Sequence, residues 1–179
     1  MNKPTKEQVD SIDLSIFKDR LNEWRDLDFI NAEAGKEHYK LLAYISTKFD
    51  NVLFTEVGTL DGCGALALSY NQTNKVQTFD ISHSGVYCKV DERVERKLVY
   101  DGFVKECLSS PVIFYDTDHN GILERQFLLD LYANGYKGMI IFDDIYLNEP
   151  MEEFWNSLQA KKEDWTDIGH WSGTGIVYL

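Results

Sequence analysis

Residues 51–68 read NVLFTEVGTLDGCGALAL. Val52, Leu53 and Phe54 open the stretch as an apolar run, and Glu56 then brings in an acid. Gly58, Gly62 and Gly64 follow, and Ala65, Leu66, Ala67 and Leu68 close it at helical spacing. The pattern predicts a buried strand, a tight glycine turn and the first turns of a helix. Such a turn lets backbone N–H groups approach a ligand with no Cβ in the way. The glycines alone fit a plain strand-to-helix connection equally well.

Working outward, apolar strands alternate with amphipathic helices. Strands are expected at residues 76–81, 96–100, 111–115 and 138–142, and helices at 103–108, 122–133 and 151–160. Strand–helix alternation means parallel strands joined by right-handed crossovers. Residues 165–171 and 175–179 read as two further strands, with Ser172, Gly173 and Thr174 between them as a hairpin turn. Residues 82–94 are polar and read as a loop. Ahead of the glycine turn, residues 1–11 are polar and expected to fray. Ile12, Ile16, Phe17, Leu21 and Trp24 form one helical face, residues 27–34 a connection, and Tyr39 to Ser46 a second helix. The fold class is therefore α/β: a Rossmann-like, doubly wound, mostly parallel seven-stranded sheet. It carries an antiparallel C-terminal hairpin and N-terminal helices. Residues 1–179 make a single domain, with 1–34 as a helical extension.

The totals narrow the function. With 18 basic residues against 30 acidic ones the net charge is −12, and no basic block is present. Neither nucleic acid nor an anionic membrane surface is an expected partner. Cys63, Cys88 and Cys107 are scattered and odd in number, which predicts small reduced thiols rather than a disulfide framework. No secretory signal or membrane span is legible, so a cytoplasmic location is expected.

The positions of the acids carry the most information. Glu56 ends the first strand, Asp80 the second, Asp116 and Asp118 follow the fourth, and Asp143 and Asp144 the fifth. In an open parallel sheet those ends line one crevice. Asp80 lies 22 residues after Gly58, where an acid can accept hydrogen bonds from ribose hydroxyls. If Asp116, Asp143 and Asp144 converge, they would repel one another unless a hard divalent ion such as Mg²⁺ joins them; otherwise one caps a helix, one pairs with Lys or Arg and one is solvated. Asp118 and His119 lie just beyond as candidate general bases, Asp118 ranked first. His170 and Trp171 read as structural or edge residues.

At this point the residues resemble a family. Residues 56–64, EVGTLDGCG, resemble the E-(I/V)-G-T-x-x-G-x-(S/G) loop of class I S-adenosylmethionine-dependent methyltransferases. FYDTDHNG at 114–121 and KGMIIFDDI at 137–145 resemble two further segments of the branch holding the macrocin-type sugar O-methyltransferases and cephalosporin-hydroxylase-like proteins. The likeness spans about residues 36–179. It departs from the family pattern at Leu60, Thr117 and Asn120-Gly121. The resemblance implies S-adenosylmethionine as cofactor, with Gly58, Thr59 and Gly62 passing under its methionine part. Glu56 would support that loop, Asp80 would hold the ribose, and Asp116 would border the cofactor. It further implies Mg²⁺ on Asp116, Asp143 and Asp144, with Asp118 as base toward a small hydroxylated substrate. A homo-oligomer could complete the pocket of so short a chain. Two alternatives stay open: a nicotinamide-dependent oxidoreductase, and a non-catalytic module in which each acid is paired with a basic residue.

Overall fold

In the computed structural model the structure is described for residues 1–21, 26–82, 88–90 and 92–179. Seven strands form one sheet in the order β3-β2-β1-β4-β5-β7-β6. These are β1 (Leu53–Val57), β2 (Lys75–Asp80), β3 (Val94–Leu98), β4 (Val112–Tyr115), β5 (Met139–Asp143), β6 (Lys161–Asp164) and β7 (Thr174–Tyr178). β3 through β5 run parallel, while β7 is antiparallel to both β5 and β6. The doubly wound sheet with its antiparallel edge is the fold class the sequence predicts.

Side chains alternate across the sheet, because successive Cβ atoms point to opposite faces. Val112 and Phe114 of β4, with Met139 and Ile141 of β5, belong to the core under the N-terminal helices. Ile113, Tyr115, Ile140 and Phe142 belong to the opposite core. The first face is covered by α1 (Lys6–Asp10), α2 (Asp26–Asn31), α3 (Tyr39–Ser46) and α4 (Cys63–Leu68). The second carries α5 (Val104–Cys107), α6 (Ile122–Ala133) and α7 (Glu149–Ser157). All six residues of α4 are buried, so its small side chains let it lie tight against the sheet. Among the described residues no helix is long and apolar enough to cross a membrane.

Several local expectations fail for identifiable reasons. Residues 1–11 do not fray: Thr5 and Gln8 form a capping box that starts α1, and Val9 is fully buried. The single helix read from residue 12 is instead a 3-10 segment, Leu14–Arg20, restarted by the Asp13 side chain accepting from Ser15 N–H. Leu14 and Phe17 are buried there while Ile16 is exposed; Trp24 lies outside the described residues. Residues 27–31, read as connection, belong to α2. β3 lies two residues earlier than expected, its register set by Asp80 opposite Leu98. Of the 82–94 loop, residues 83–87 and 91 lie outside the described residues.

The C-terminal hairpin is the largest correction. Residues 165–171 are not a strand. The edge strand is β6, whose KKED sequence has no apolar face to advertise it. Trp165 is buried, and the chain turns at once, with Ile168 N–H and Gly169 N–H both donating to Trp165 O. This connection carries His170 back to the end of β5.

Candidate functional site

β1 ends at Val57, and Gly58 takes φ +96°, open to glycine and strained for other residues. A Cβ there would stand 1.5 Å from the Asp116 carbonyl oxygen, so the loop crosses directly over the end of β4. Its next two N–H groups, of Thr59 and Leu60, donate to Asp80 Oδ2 at 2.8 and 2.9 Å. Asp80 therefore fastens the glycine loop to the end of β2, while Ser82 N–H approaches its other oxygen at 3.2 Å.

Glu56 is buried beneath this loop. Thr78 Oγ1 donates to Glu56 Oε2 at 2.5 Å, and Thr59 Oγ1 lies 2.6 Å from Thr78 Oγ1. A Cβ on Gly64 would meet Glu56 Oε1, so the carboxyl sits against the first turn of α4. Burial pushes the Glu56 carboxyl well above the usual carboxylate range, against the opposing effect of the Thr78 hydroxyl. The far side of the loop is held by the chain after β2: Cys88 N–H donates to Asp61 O at 2.9 Å. Cys63 and Cys88, distant in sequence, are free thiols with Sγ atoms 2.8 Å apart.

A cavity of about 440 Å³ opens over the ends of β1, β2 and β4. Gly58, Asp80, Asp116, Asp118 and His119 line its polar side, and Phe79, Ile81, Phe103, Tyr115 and Leu123 its apolar side. Ile81 and Leu60 are 86% and 66% exposed, so apolar surface rims the mouth.

Beside this cavity the acids meet imidazoles. His119, at φ +51°, places Nε2 3.3 Å from Asp116 Oδ1 and 3.3 Å from Asp144 Oδ2. Asn148 Nδ2 donates to the His119 carbonyl at 2.9 Å and so fixes that turn to the start of α7. Asp143 Oδ2 lies 3.2 Å from both His38 Nδ1 and His170 Nδ1. His170 Nδ1 is also 3.0 Å from Asp144 Oδ1 and 2.9 Å from Ser172 Oγ, and Ser172 Oγ donates to Asp144 Oδ1.

The electrostatics follow this pairing. Burial would raise the Asp143 carboxyl, but the His38 and His170 charges outweigh it and hold it below the usual range. Burial opposes charge on His170, yet its bonds to Asp143 and Asp144 bring it up to about 10. The same balance raises His38 through Asp143, and raises His119 through Asp116. Burial raises Asp116 despite the facing His119.

No protein-family model matches the sequence, and no curated protein matches it. Solved structures do match in shape. A Staphylococcus aureus protein assigned as a caffeoyl-CoA O-methyltransferase superposes with TM-score 0.59 at 12% identity, over 79% of this chain and 82% of that one. The SAH-bound Podospora anserina methyltransferase PaMTH1 gives TM-score 0.57 at 13% identity, over 97% and 86% of the two chains. A Klebsiella pneumoniae protein assigned as an O-methyltransferase gives 0.51 at 16% identity, over 97% and 98%. The chain has a methyltransferase fold.

On that methyltransferase fold the expected residues divide into groups. Gly58, Asp80, Asp116, Asp118 and His119 line the cavity. Glu56, Thr59 and Gly62 stand behind it: Glu56 and Thr59 in the hydroxyl chain through Thr78, and Gly62 as the left-handed residue that starts α4. Asp143 and Asp144 meet the histidines rather than the cavity. Sequence reasoning passed over His38 and read His170 only as a structural or edge residue. His38 precedes α3 and His170 lies in the connection before β7, and no spacing rule links them. The only signal was that both stand at element boundaries.

Proposed function

We propose that this chain is an S-adenosylmethionine-dependent methyltransferase acting on an oxygen of a small hydroxylated substrate. The observation that carries the reading is the Gly58–Asp116 backbone contact beside the Asp80 anchor, over a half-apolar cavity. The residues present fit the cofactor. The cavity floor has no Cβ at Gly58, apolar side chains offer a face for an adenine ring, and the nearby acids suit a cationic ligand. When bound, S-adenosylmethionine supplies a methyl group activated by its sulfonium. The chain's own part is to bind and orient, which can account for most of such a rate.

His119 is the favoured base by position. Its Nε2 faces two carboxylates, and Asn148 holds its backbone, whereas Asp118 is exposed. A base in hydrogen-bond reach of the substrate hydroxyl takes its proton as the methyl arrives. The Mg²⁺ ion implied by the resemblance fits less well. Among the described residues Asp116, Asp143 and Asp144 do not form one cluster of close ligand atoms, and each faces an imidazole nitrogen instead. No step is routed through it.

The pairing of Asp116, Asp143 and Asp144 with histidines favours a second reading, a non-catalytic module that retains the cofactor fold. Calorimetry with S-adenosylmethionine and SAH, followed by labelled methyl transfer to hydroxylated acceptors, separates the cases. Absence of binding by either compound sinks the first reading. Binding with no transfer to any acceptor favours the second.

A further inference from the structure

His38, Asp143 and His170 come from three separate elements and meet in one buried place. His38 is the residue before α3, Asp143 is the last of β5, and His170 belongs to the connection before β7. We propose that they form a binding site for a borderline divalent transition ion of the Zn²⁺ class. None of the three residues lines the cavity, and the site shares only Asp143 with the Mg²⁺ set that the resemblance implies.

Spacing is the first argument. One ligand atom from each residue lies within 4.8 Å of the other two. Asp143 Oδ2 is 3.2 Å from each imidazole Nδ1. Around a tetrahedral ion with bonds of about 2.0–2.1 Å, neighbouring ligand atoms stand about 3.3 Å apart. Two nitrogens at that distance from one carboxylate oxygen have the spacing of coordination-sphere edges.

Unmet hydrogen bonding is the second argument. His38 and Asp143 are 5% and 2% exposed. His38 Nδ1 is out of line for a hydrogen bond to Asp143, and neither it nor Asp143 Oδ1 has another hydrogen-bond partner. Buried polar atoms left this way are rare and point to an unplaced ion or water. His170 Nδ1 shows the opposite imbalance. It faces Asp143 Oδ2, Asp144 Oδ1 and Ser172 Oγ, and one N–H cannot serve three oxygens.

The surroundings suit ligands. Glu37 Oε2 lies 3.7 Å from the other nitrogen of His170, in the place of the carboxylate that commonly orients a metal-bound imidazole. The His38 ring packs against Phe114 and Tyr39, with centroids 4.9 and 4.6 Å away, so it is held before any ion arrives. Two imidazoles and a carboxylate select ions such as Zn²⁺, Ni²⁺ or Co²⁺ over Mg²⁺. Water would complete the set. Such an ion would staple the start of α3 and the connection before β7 to the end of β5.

The test is calorimetry and thermal unfolding of the chelator-treated full chain with Zn²⁺, Co²⁺ or Mg²⁺. One equivalent of Zn²⁺ should bind and raise Tm, Mg²⁺ should do neither, and Co²⁺ should give visible d–d bands. His38→Gln and His170→Gln should each weaken Zn²⁺ by more than the roughly 10–100-fold lost with an outer-shell partner. His119→Gln, on the neighbouring acids, should leave Zn²⁺ affinity unchanged. Absence of Zn²⁺ binding and Co²⁺ bands in the unaltered chain, which needs no variant to fold, overturns the site. So does a Zn²⁺ site abolished by Asp116→Asn or His119→Gln but indifferent to His38→Gln. SAH calorimetry on the same preparations reads the methyltransferase proposal separately.

Discussion

Gly58 and Asp116 touch through their backbones: a Cβ on Gly58 would stand 1.5 Å from the Asp116 carbonyl oxygen. That contact brings the glycine loop and the end of β4 to one cavity wall. It cannot be kept with any side chain at position 58, because the obstacle is backbone rather than a movable side chain. Gly58→Ala should lower unfolding free energy by more than the about 1–3 kcal/mol of local backbone strain, and SAH binding should vanish. Gly102 has a similar φ of +88°, but a Cβ there would meet nothing within 4 Å, so Gly102→Ala should lose only about 1–2 kcal/mol. Urea unfolding of the two variants checks the contrast.

Asp80 holds the same loop from the other side. Asp80→Ala leaves the Thr59 and Leu60 N–H groups without their acceptor, and Leu60 is exposed enough for water to replace it. The expected loss of stability is about 1–2 kcal/mol. SAH affinity should fall at least about tenfold if a charge-assisted hydrogen bond to the ligand is lost as well. Full affinity in calorimetry would remove Asp80 from the cofactor site.

Glu56 makes stability depend on pH in a defined direction. Its folded pKa is raised above the ordinary 4.5, so the native state binds its proton more tightly than the unfolded chain does. That contribution is fully present below 4.5 and is lost as pH rises through the folded pKa. Glu56→Gln keeps the shape and the Thr78 bond but cannot ionise. The variant should match the parent near about pH 4 and exceed it increasingly at neutral pH. Denaturant unfolding across that range reads the difference, and parallel curves would count against a protonated Glu56.

Asn148 couples α7 to the proposed base. Its side chain accepts from Met151 N–H at 3.0 Å and donates to the His119 carbonyl at 2.9 Å. Asn148→Ala should lose about 1 kcal/mol with the cap. Asn148→Asp keeps an acceptor for the cap but has no donor for His119. It should recover the stability and, under the proposed function, still show reduced kcat with SAH affinity unchanged. Recovery of kcat in Asn148→Asp would deny Asn148 a positioning role.

His119 itself gives a sharper test. On the proposed reading His119→Gln should lower kcat by about 10²–10⁴-fold with SAH affinity retained. Asp118→Asn, altering an exposed side chain, should do much less. The reverse order in steady-state assays would return the role of base to Asp118.

The parallel strands, the glycine turn and the acids at strand ends were legible because local signals dictate them. Short apolar runs bounded by turn residues, such as 138–142, read as buried strands, Gly58 marks a turn, and an acid after a buried strand lies at a sheet end. The N-terminal helices were misread because Asp13 and Thr5 interrupt an apolar period with caps, and a period count does not see caps. β6 was misplaced because an edge strand needs no apolar face.

The sequence by itself determined the alternation of strands and helices from residue 51 onward, the seven-stranded sheet and which end of it bears charge, since hydrophobic periodicity and turn chemistry act over a few residues. Tertiary structure alone decided what the acids face. His38 and His170 reach Asp143 from opposite ends of the chain, and that meeting depends on how α3 packs and where the β6–β7 connection folds back. Asp80's grip on the Thr59 and Leu60 N–H groups likewise depends on the register of β1 against β2. Contacts of this range leave no local signature, because only closure of the whole sheet brings their atoms within bonding distance.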